Sequence, residues 1–435
     1  MTNSAIAAAA RAWTPPASAN LPAALVVLVL FVLACVGSAS RPDVTSGFDE
    51  PAHASYVAYI QHSGDYWPAL EKMSLLDPRT FQFTGATNYL NHPPLYYALL
   101  AAIGPKLEGR PQALRTYRLI DVALVALGVA ALLALGLKAQ LPWPEFYAYA
   151  MPLVWIPILV QLAAAVSNDD LAFLGGALAT LGVWQMAATG RGVWLACALV
   201  GTVAAAWAKL TGLLLTTVMV GAALAYLAHR GRVGWIWALA AVAAFALAAA
   251  PYVVYLLQYG SPTPETPAQL ALLQDGARAA GWSALPRKSF PVYLASFVTA
   301  FIADWMPTLG TRSPFNYAML AFPVAALACA CGGAALSLHR LWRGGEAPRD
   351  VVVVAGAVAL AATFAIHISY SYGRHLATGW MLDAYPRYYL PLAAIVPLAG
   401  LSLVAAIDAP RWRAAVLALL ASGPILLRIF GAPFS

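Results

Sequence analysis

Phe48-Asp49-Glu50-Pro51-Ala52-His53 is the stretch that organises this chain. It comes directly after an apolar run, Leu21 to Gly37, so two acids, a proline and a histidine stand where a membrane span gives way to water. Proline suits the first position of a helix, and the residues through His62 have helical character. His53 is then one turn on from Asp49, on the same face. The plainer account is an acid capping a helix start. Capping explains one acid, but not two with a histidine at helical spacing. The chemical account is a carboxylate, Asp49, poised to take a proton from a hydroxyl.

Outward from that stretch, the composition sets the class. Of 435 residues, 61% are hydrophobic and 10% are charged, whereas a soluble domain carries about 25% charged residues. Many runs approach the roughly 20 apolar residues that a spanning helix needs. Unsatisfied backbone groups are too costly in hydrocarbon for anything but helices or closed barrels, and these long uniform runs lack the alternation of a barrel. The expectation is an all-α, polytopic transmembrane bundle forming one domain over 1–435. The net charge of +7 is spread over short loops, as orientation signals are, and it does not mark a nucleic-acid binder. Cys35, Cys197, Cys329 and Cys331 all lie in apolar runs, so neither a disulfide framework nor a metal site is indicated. A cleaved signal ending near Cys35 is the lesser alternative, because the one preceding basic residue, Arg11, is far from the apolar run.

Eleven spans are expected: Leu21–Gly37, Tyr117–Leu137, Phe146–Ala165, Leu171–Ala188, Gly192–Ala208, Leu210–Ala228, Val233–Leu257, Phe315–Leu338, Val351–Tyr372, Tyr388–Ile407 and Trp412–Ile429. Two loops stand out, 38–114 and 258–312. Long loops between elements are usually functional. Two further apolar runs, Pro94–Ile103 and Phe290–Ala303, are short for a span. With both lying in the interface, one side carries Arg11, Lys138, Arg191, Arg230, Arg232, Arg340, Arg343, Arg349, Arg411 and Arg413 against Glu145, Glu346, Asp350 and Asp408, ten basic residues minus four acids. The other side then keeps fifteen basic and fourteen acidic residues. Letting one run span would destroy this asymmetry. The N-terminus is therefore expected to be cytoplasmic, with both long loops outside and the short runs flat on the outer face.

Four more stretches interrupt the apolar pattern on that outer side. Asn91-His92-Pro93-Pro94-Leu95-Tyr96-Tyr97 opens a helix with two prolines. An interfacial tyrosine belt accounts for its tyrosines but not for His92. Ser167-Asn168-Asp169-Asp170 is a tight turn, read either as a cap or as a polar floor for a substrate. Lys209, in Ala208-Lys209-Leu210-Thr211-Gly212, interrupts about 34 otherwise apolar residues. A lysine at a helix end can snorkel, yet a charge near membrane depth is a functional signal, with a lipid phosphate its natural partner. Asp383-Ala384-Tyr385-Pro386-Arg387-Tyr388-Tyr389-Leu390-Pro391 follows Arg374 and His375. A guanidinium suits bidentate phosphate binding.

In this order and spacing the five stretches resemble the GT-C glycosyltransferases, the superfamily of protein O-mannosyltransferases and bacterial lipid A aminoarabinose transferases. The Asp-Glu-Pro-Ala-His form is most similar to an uncharacterised bacterial branch. The resemblance runs from about Phe48 to Pro391. The chain ends soon after the last span, where some members carry a large soluble domain. The resemblance implies transfer of a sugar from a polyprenyl-phosphate carrier to a hydroxyl of a glycan, lipid or protein acceptor, with inversion at the anomeric carbon, at the outer face of a bacterial inner membrane. It casts Asp49 as the base. Glu50 and His53 position it or the acceptor, His92 contacts the donor, and Lys209 and Arg387 steady the leaving phosphate. Asn91, Asp169 and Arg374 complete the expected substrate-binding set. Arg and Lys can stabilise a monophosphate leaving group without a metal, so no cofactor is expected. Relatives with diphosphate carriers use a divalent metal, and Asp49, Glu50, Asp169 and Asp170 carry oxygens that suit one.

Two other classes compete. A lipid-linked sugar flippase or other transporter would bury ionisable groups at mid-span, where only Asp121 and His367 are candidates. A membrane scaffold would leave His92, Lys209 and Arg387 without a task.

Overall fold

In hydrocarbon a chain has only its own backbone to hydrogen-bond, and nearly every apolar run here is a helix. The structure, a computed structural model, describes residues 20–41, 49–303, 321–381 and 384–431. Span α1 (Asn20–Ala39) leads into the first long loop. That loop holds α2 (Glu50–Ser63), a hairpin of β1 (Ser74–Leu76) and β2 (Phe83–Thr87), and α3 (Leu95–Ile103). Then come α4 (Leu114–Lys138), α5 (Trp143–Trp155), α6 (Pro157–Leu162), α7 (Asp169–Thr189), α8 (Gly192–Ala208), α9 (Leu210–His229) and α10 (Trp235–Tyr259). The second loop carries α11 (Pro267–Ala279) and α12 (Phe290–Ala303). The last elements are α13 (Ala321–Trp342), α14 (Pro348–Thr378), a 3-10 segment (Pro386–Leu392), α15 (Ile395–Val404) and α16 (Pro410–Gly431).

The bundle is polytopic, but its spans are less uniform than expected. Among the described residues, seven helices are long and apolar enough to cross a membrane, or eight if the 3-10 segment and α15, bent by 66°, form one span. Two of the eleven expected spans are broken. The third is split at Ile156, where Pro157 begins a new helix; proline lacks the amide hydrogen that would continue the ladder. The fifth, α8, keeps its expected bounds, at 17 residues. The tenth starts as a 3-10 segment with Pro386 and Pro391 in it. Span α14 is longer than expected, at 31 residues. The expected start of the Phe315 span lies outside the described residues, as do Arg11, Phe48 and Asp383. Both short apolar runs are helices, of 9 and 14 residues.

The hairpin is a departure from an all-α loop. Asp77 turns the chain: its Oδ1 accepts from the Arg79 and Thr80 amides at 3.0 and 2.8 Å. That side-chain turn lets Ser74 pair with Thr87 and Leu76 with Phe83. The hairpin docks on α2 through the Leu76 amide, which donates to Ser55 Oγ at 2.8 Å. Asn88 then donates to the Ala52 carbonyl at 2.8 Å.

Helix α7 is buried along nearly its whole length and is the spine of the bundle. It packs on α8 through small residues, which let helices approach closely where no hydrophobic drive separates protein from lipid. Gly176 abuts the 3-10 segment: a Cβ there would overlap the Pro391 backbone. This contact sets the 3-10 segment against the first turns of α7. Gly212 does the same for α9, since a Cβ would strike the Ala205 carbonyl of α8. The chain can therefore reverse through the single residue Lys209.

Gly176→Val is expected to overpack this joint by about 1–3 kcal/mol and to lower the apparent Tm of detergent-purified protein. Gly221→Ala is the control, because only Phe245 lies near, at 3.9 Å; its Tm is expected to match the wild type.

Candidate active site

Helix α2 is anchored by its first residue. Glu50 is fully buried, and its two oxygens accept from Arg118 Nε and Nη2 of α4 at 2.8 and 2.6 Å. Its Oε1 also accepts from the Val166 amide at 2.9 Å. Arg118 Nη1 donates to the Arg41 carbonyl at 2.7 Å. Glu50 is thus tied on the inside of the fold and does not line the cavity described below.

With Glu50 turned inward, Asp49 faces the other way. Its backbone is left-handed (φ 59°, ψ 26°), and its side chain makes no capping hydrogen bond. The capping account is therefore set aside by the geometry. A non-glycine residue in this region is strained, by about 1–3 kcal/mol. The carboxylate is instead held by side chains: Tyr89 donates to Oδ1 at 3.0 Å and Arg387 Nη2 to Oδ2 at 3.2 Å. The Asp49 side chain stays 39% exposed.

Arg387 links this carboxylate to a second one. Its Nε lies 3.7 Å from Asp169 Oδ2, at the first residue of α7. Asp169 Oδ1 accepts from Lys209 Nζ at 2.8 Å, and the Lys209 ammonium sits 3.9 Å above the Tyr388 ring. Arg387 itself lies over Tyr385 and Tyr388. Four of the predicted residues, from four separate stretches, thus form one chain of charge: Asp49, Arg387, Asp169 and Lys209. Burial pushes the Lys209 ammonium pKa down, and Asp169 opposes that shift.

Beside this chain the rings of His53 and His92 stack, centroids 6.0 Å apart and 8° from parallel. His53 Nδ1 shares a 2.8 Å hydrogen bond with the Tyr97 hydroxyl. Burial, then the Lys209 charge, lowers the His53 pKa to about 3. Burial, Lys209 and His53 hold His92 well below the ordinary range. Both imidazoles are neutral near pH 7. The His92 carbonyl accepts from Tyr255 at 2.8 Å, which fixes the turn before α3.

These groups surround a cavity of about 700 Å³. Asp49, Asn91, His92, Lys209, Arg374 and Arg387 line it; Glu50, His53 and Asp169 do not. Helix α11 forms another wall. Asn91 Nδ2 ties that wall in, donating to the Pro264 carbonyl at 2.8 Å and to Gln269 Oε1 at 3.4 Å. Arg374 pairs with Glu265 at 3.0 Å and donates to Tyr370.

The four acids with metal-suited oxygens do not converge. Glu50 is taken by Arg118, Asp169 by Lys209, and Asp170 is buried with neither oxygen hydrogen-bonded. Among the described residues no group of three or more His, Cys, Asp or Glu is placed to hold a metal. The two transporter candidates are also placed. Asp121 accepts from the Tyr96 hydroxyl at 2.9 and 3.0 Å, two turns into α4, and His367 bonds Tyr389 at the cavity edge.

The sequence matches no protein-family model and no curated protein. Solved structures similar to it include two of one protein. One is ArnT from Cupriavidus metallidurans bound to undecaprenyl phosphate, at 16% identity and a TM-score of 0.40, covering 92% of this chain and 77% of that one. The other is the same protein in its apo state, at 15% identity and a TM-score of 0.38, with the same coverage.

Sequence reasoning missed Tyr89, Arg118 and Gln269. Arg118 carried a signal, as a charge at the mouth of an apolar run. Tyr89 and Gln269 carried none, because neither breaks a pattern.

Glu50→Ala leaves Arg118 buried without its main partner, which costs about 3–5 kcal/mol. The expected outcome is a sharp fall in Tm, largely restored in Glu50→Leu/Arg118→Met, where no charge remains. The histidines predict a pH effect. An unfolded His53 titrates near 6.5 and the folded one near 3, so the unfolded state binds more protons in between. Stability is then full above about pH 6.5 and falls as pH drops toward 3, by up to about 1.4 kcal/mol per unit per group. Thermal denaturation from pH 7 to 4 is expected to show a shallower loss in His53→Gln than in wild type.

Proposed function

We propose that this protein is an inverting membrane glycosyltransferase that moves a sugar from a polyprenyl-phosphate carrier to an acceptor hydroxyl at the outer face. The observation that carries the reading is that Asp49, Lys209, Arg387 and His92, drawn from four remote stretches, line one cavity. The motif resemblance and the charge-based orientation support it. Asp49 takes the proton of the acceptor hydroxyl. The oxygen attacks the anomeric carbon on the face opposite the phosphate. The carbon–oxygen bond to phosphate breaks, and its electron pair leaves with the polyprenyl phosphate. Lys209 and Arg387 are cations already fixed beside that leaving group, so they stabilise its growing charge without reorganising. The entering phosphate competes with Asp49 for Arg387, which frees the carboxylate as the donor seats. The reading needs no metal, since two cations do that work. Neutral His92 contacts the donor without adding charge, and Asn91 and Arg374 hold the opposite wall against the sugar or acceptor.

The reading is tested with purified protein and a polyprenyl-phosphate sugar, following sugar transfer to acceptor. Asp49→Asn is expected to lose transfer while keeping the wild-type Tm; transfer at the wild-type rate would remove Asp49 as base. Lys209→Ala and Arg387→Ala are each expected to lower kcat by about 10²–10³. Orientation has its own check. A cysteine at exposed Ser63, in a background without the native thiols, is expected to react with a membrane-impermeant maleimide in intact cells. Protection there would place the site on the wrong side.

A further inference from the structure

A second cavity lies at the far end of the two helices that wall the first. Helix α9 starts beside Lys209 and ends at His229, about 30 Å away at 1.5 Å per residue. Helix α14 brings Thr363, His367 and Arg374 to the first cavity and begins with Pro348 at the other end. Between those far ends and α13 is a slot of about 330 Å³. Its walls are apolar: Ala222, Ala223, Leu338, Leu341, Val351 and Val354. Its rim is not, since His229, Arg230 and Trp342 close the slot at one end. Trp342 is 88% exposed.

The chain around this rim is strongly basic. Segments 229–232 and 339–350 hold five arginines (Arg230, Arg232, Arg340, Arg343 and Arg349) against two acids (Glu346 and Asp350), a surplus of three. The two acids are engaged. Glu346 pairs with Arg230 at 2.6 Å and Asp350 with Arg340 at 2.6 Å. Arg343 is exposed and Arg232 half-buried, and neither makes an ion pair among the described residues. Both adjoin residues that line the slot: Arg232 is two residues after Arg230, its amide donating to the Leu227 carbonyl, and Arg343 stands between Trp342 and Gly344.

We infer that this slot binds an anionic phospholipid. An acyl chain lies between α9, α13 and α14, and the phosphate headgroup is held by Arg232 and Arg343 beside Trp342. Charge decides the headgroup, because a basic pocket between spanning helices draws anionic lipid at about 1 kcal/mol per cation. Depth decides for lipid over free phosphate. The walls offer apolar surface to a chain, and an exposed tryptophan marks the interface level. The site is independent of the sugar-transfer reading, though it shares α9 and α14 with that cavity.

The test is native mass spectrometry of the full-length detergent-purified protein, titrated with phosphatidylglycerol, phosphatidylcholine or inorganic phosphate. Wild type is expected to retain phosphatidylglycerol over phosphatidylcholine and to show no phosphate adduct. R232A/R343A is expected to bind phosphatidylglycerol about 25-fold more weakly, about fivefold per arginine, with phosphatidylcholine binding unchanged. Neither side chain has an ion-pair partner among the described residues, so its Tm without lipid is expected to equal the wild type. Trp342→Ala is expected to weaken both lipids. Equal retention of the two lipids by wild type, undiminished phosphatidylglycerol binding by the double variant, or a phosphate adduct of matching strength would each overturn the inference.

Discussion

The site depends on a carboxylate and a guanidinium that lie outside the cavity. Glu50 and Arg118 are 0 and 3% exposed, and removing two charges from water is expensive unless each finds full hydrogen bonding. Here it does. The pair gathers three remote backbones: the end of the first span at Arg41, the start of α2, and the loop before α7 at Val166. Turning Glu50 inward leaves Asp49 no option but to face the cavity. The left-handed backbone at Asp49 follows from that geometry. Such strain persists only where the surroundings over-determine it, and here Tyr89, Arg387 and the Glu50 clamp all fix the same residue.

The chain of charge beside the cavity is internally balanced. Lys209 and Arg387 face Asp49 and Asp169, two cations for two anions, and the stacked histidines are neutral. Under the proposed reaction this balance is poised for exchange. A phosphate displaces Asp49 from Arg387, so the group that must act as base is released by the arrival of the group that must leave. Neutral imidazoles also keep the site from gathering anions indiscriminately.

The helical bundle and the members of the charged cluster were legible in the sequence; how the cluster pairs and where the spans break were not. Lys209, Asp169, Arg387 and Asp49 stood out because each breaks an apolar run, and a charge at membrane depth needs a partner. That the partners would be one another was a matter of folding, and the spacing in sequence, 338 residues between Asp49 and Arg387, gave no hint of it. Glu50 was read as a second site acid beside Asp49, but adjacent residues point in different directions, and only the unremarked Arg118 decides which. The hairpin was hidden because its strands are three and five residues long. Span counting rested on hydropathy, which does not register that Pro157 and Pro386 withdraw backbone donors.

Helix α14 has one more consequence. At 31 residues it is about 46 Å long, against a hydrocarbon core of about 30 Å. The excess is absorbed by leaning the rod or by letting its end stand clear of the bilayer. Arg374 rides on that end, so lean and elevation trade against each other. The height of the cavity wall above the lipid surface is thereby tied to membrane thickness.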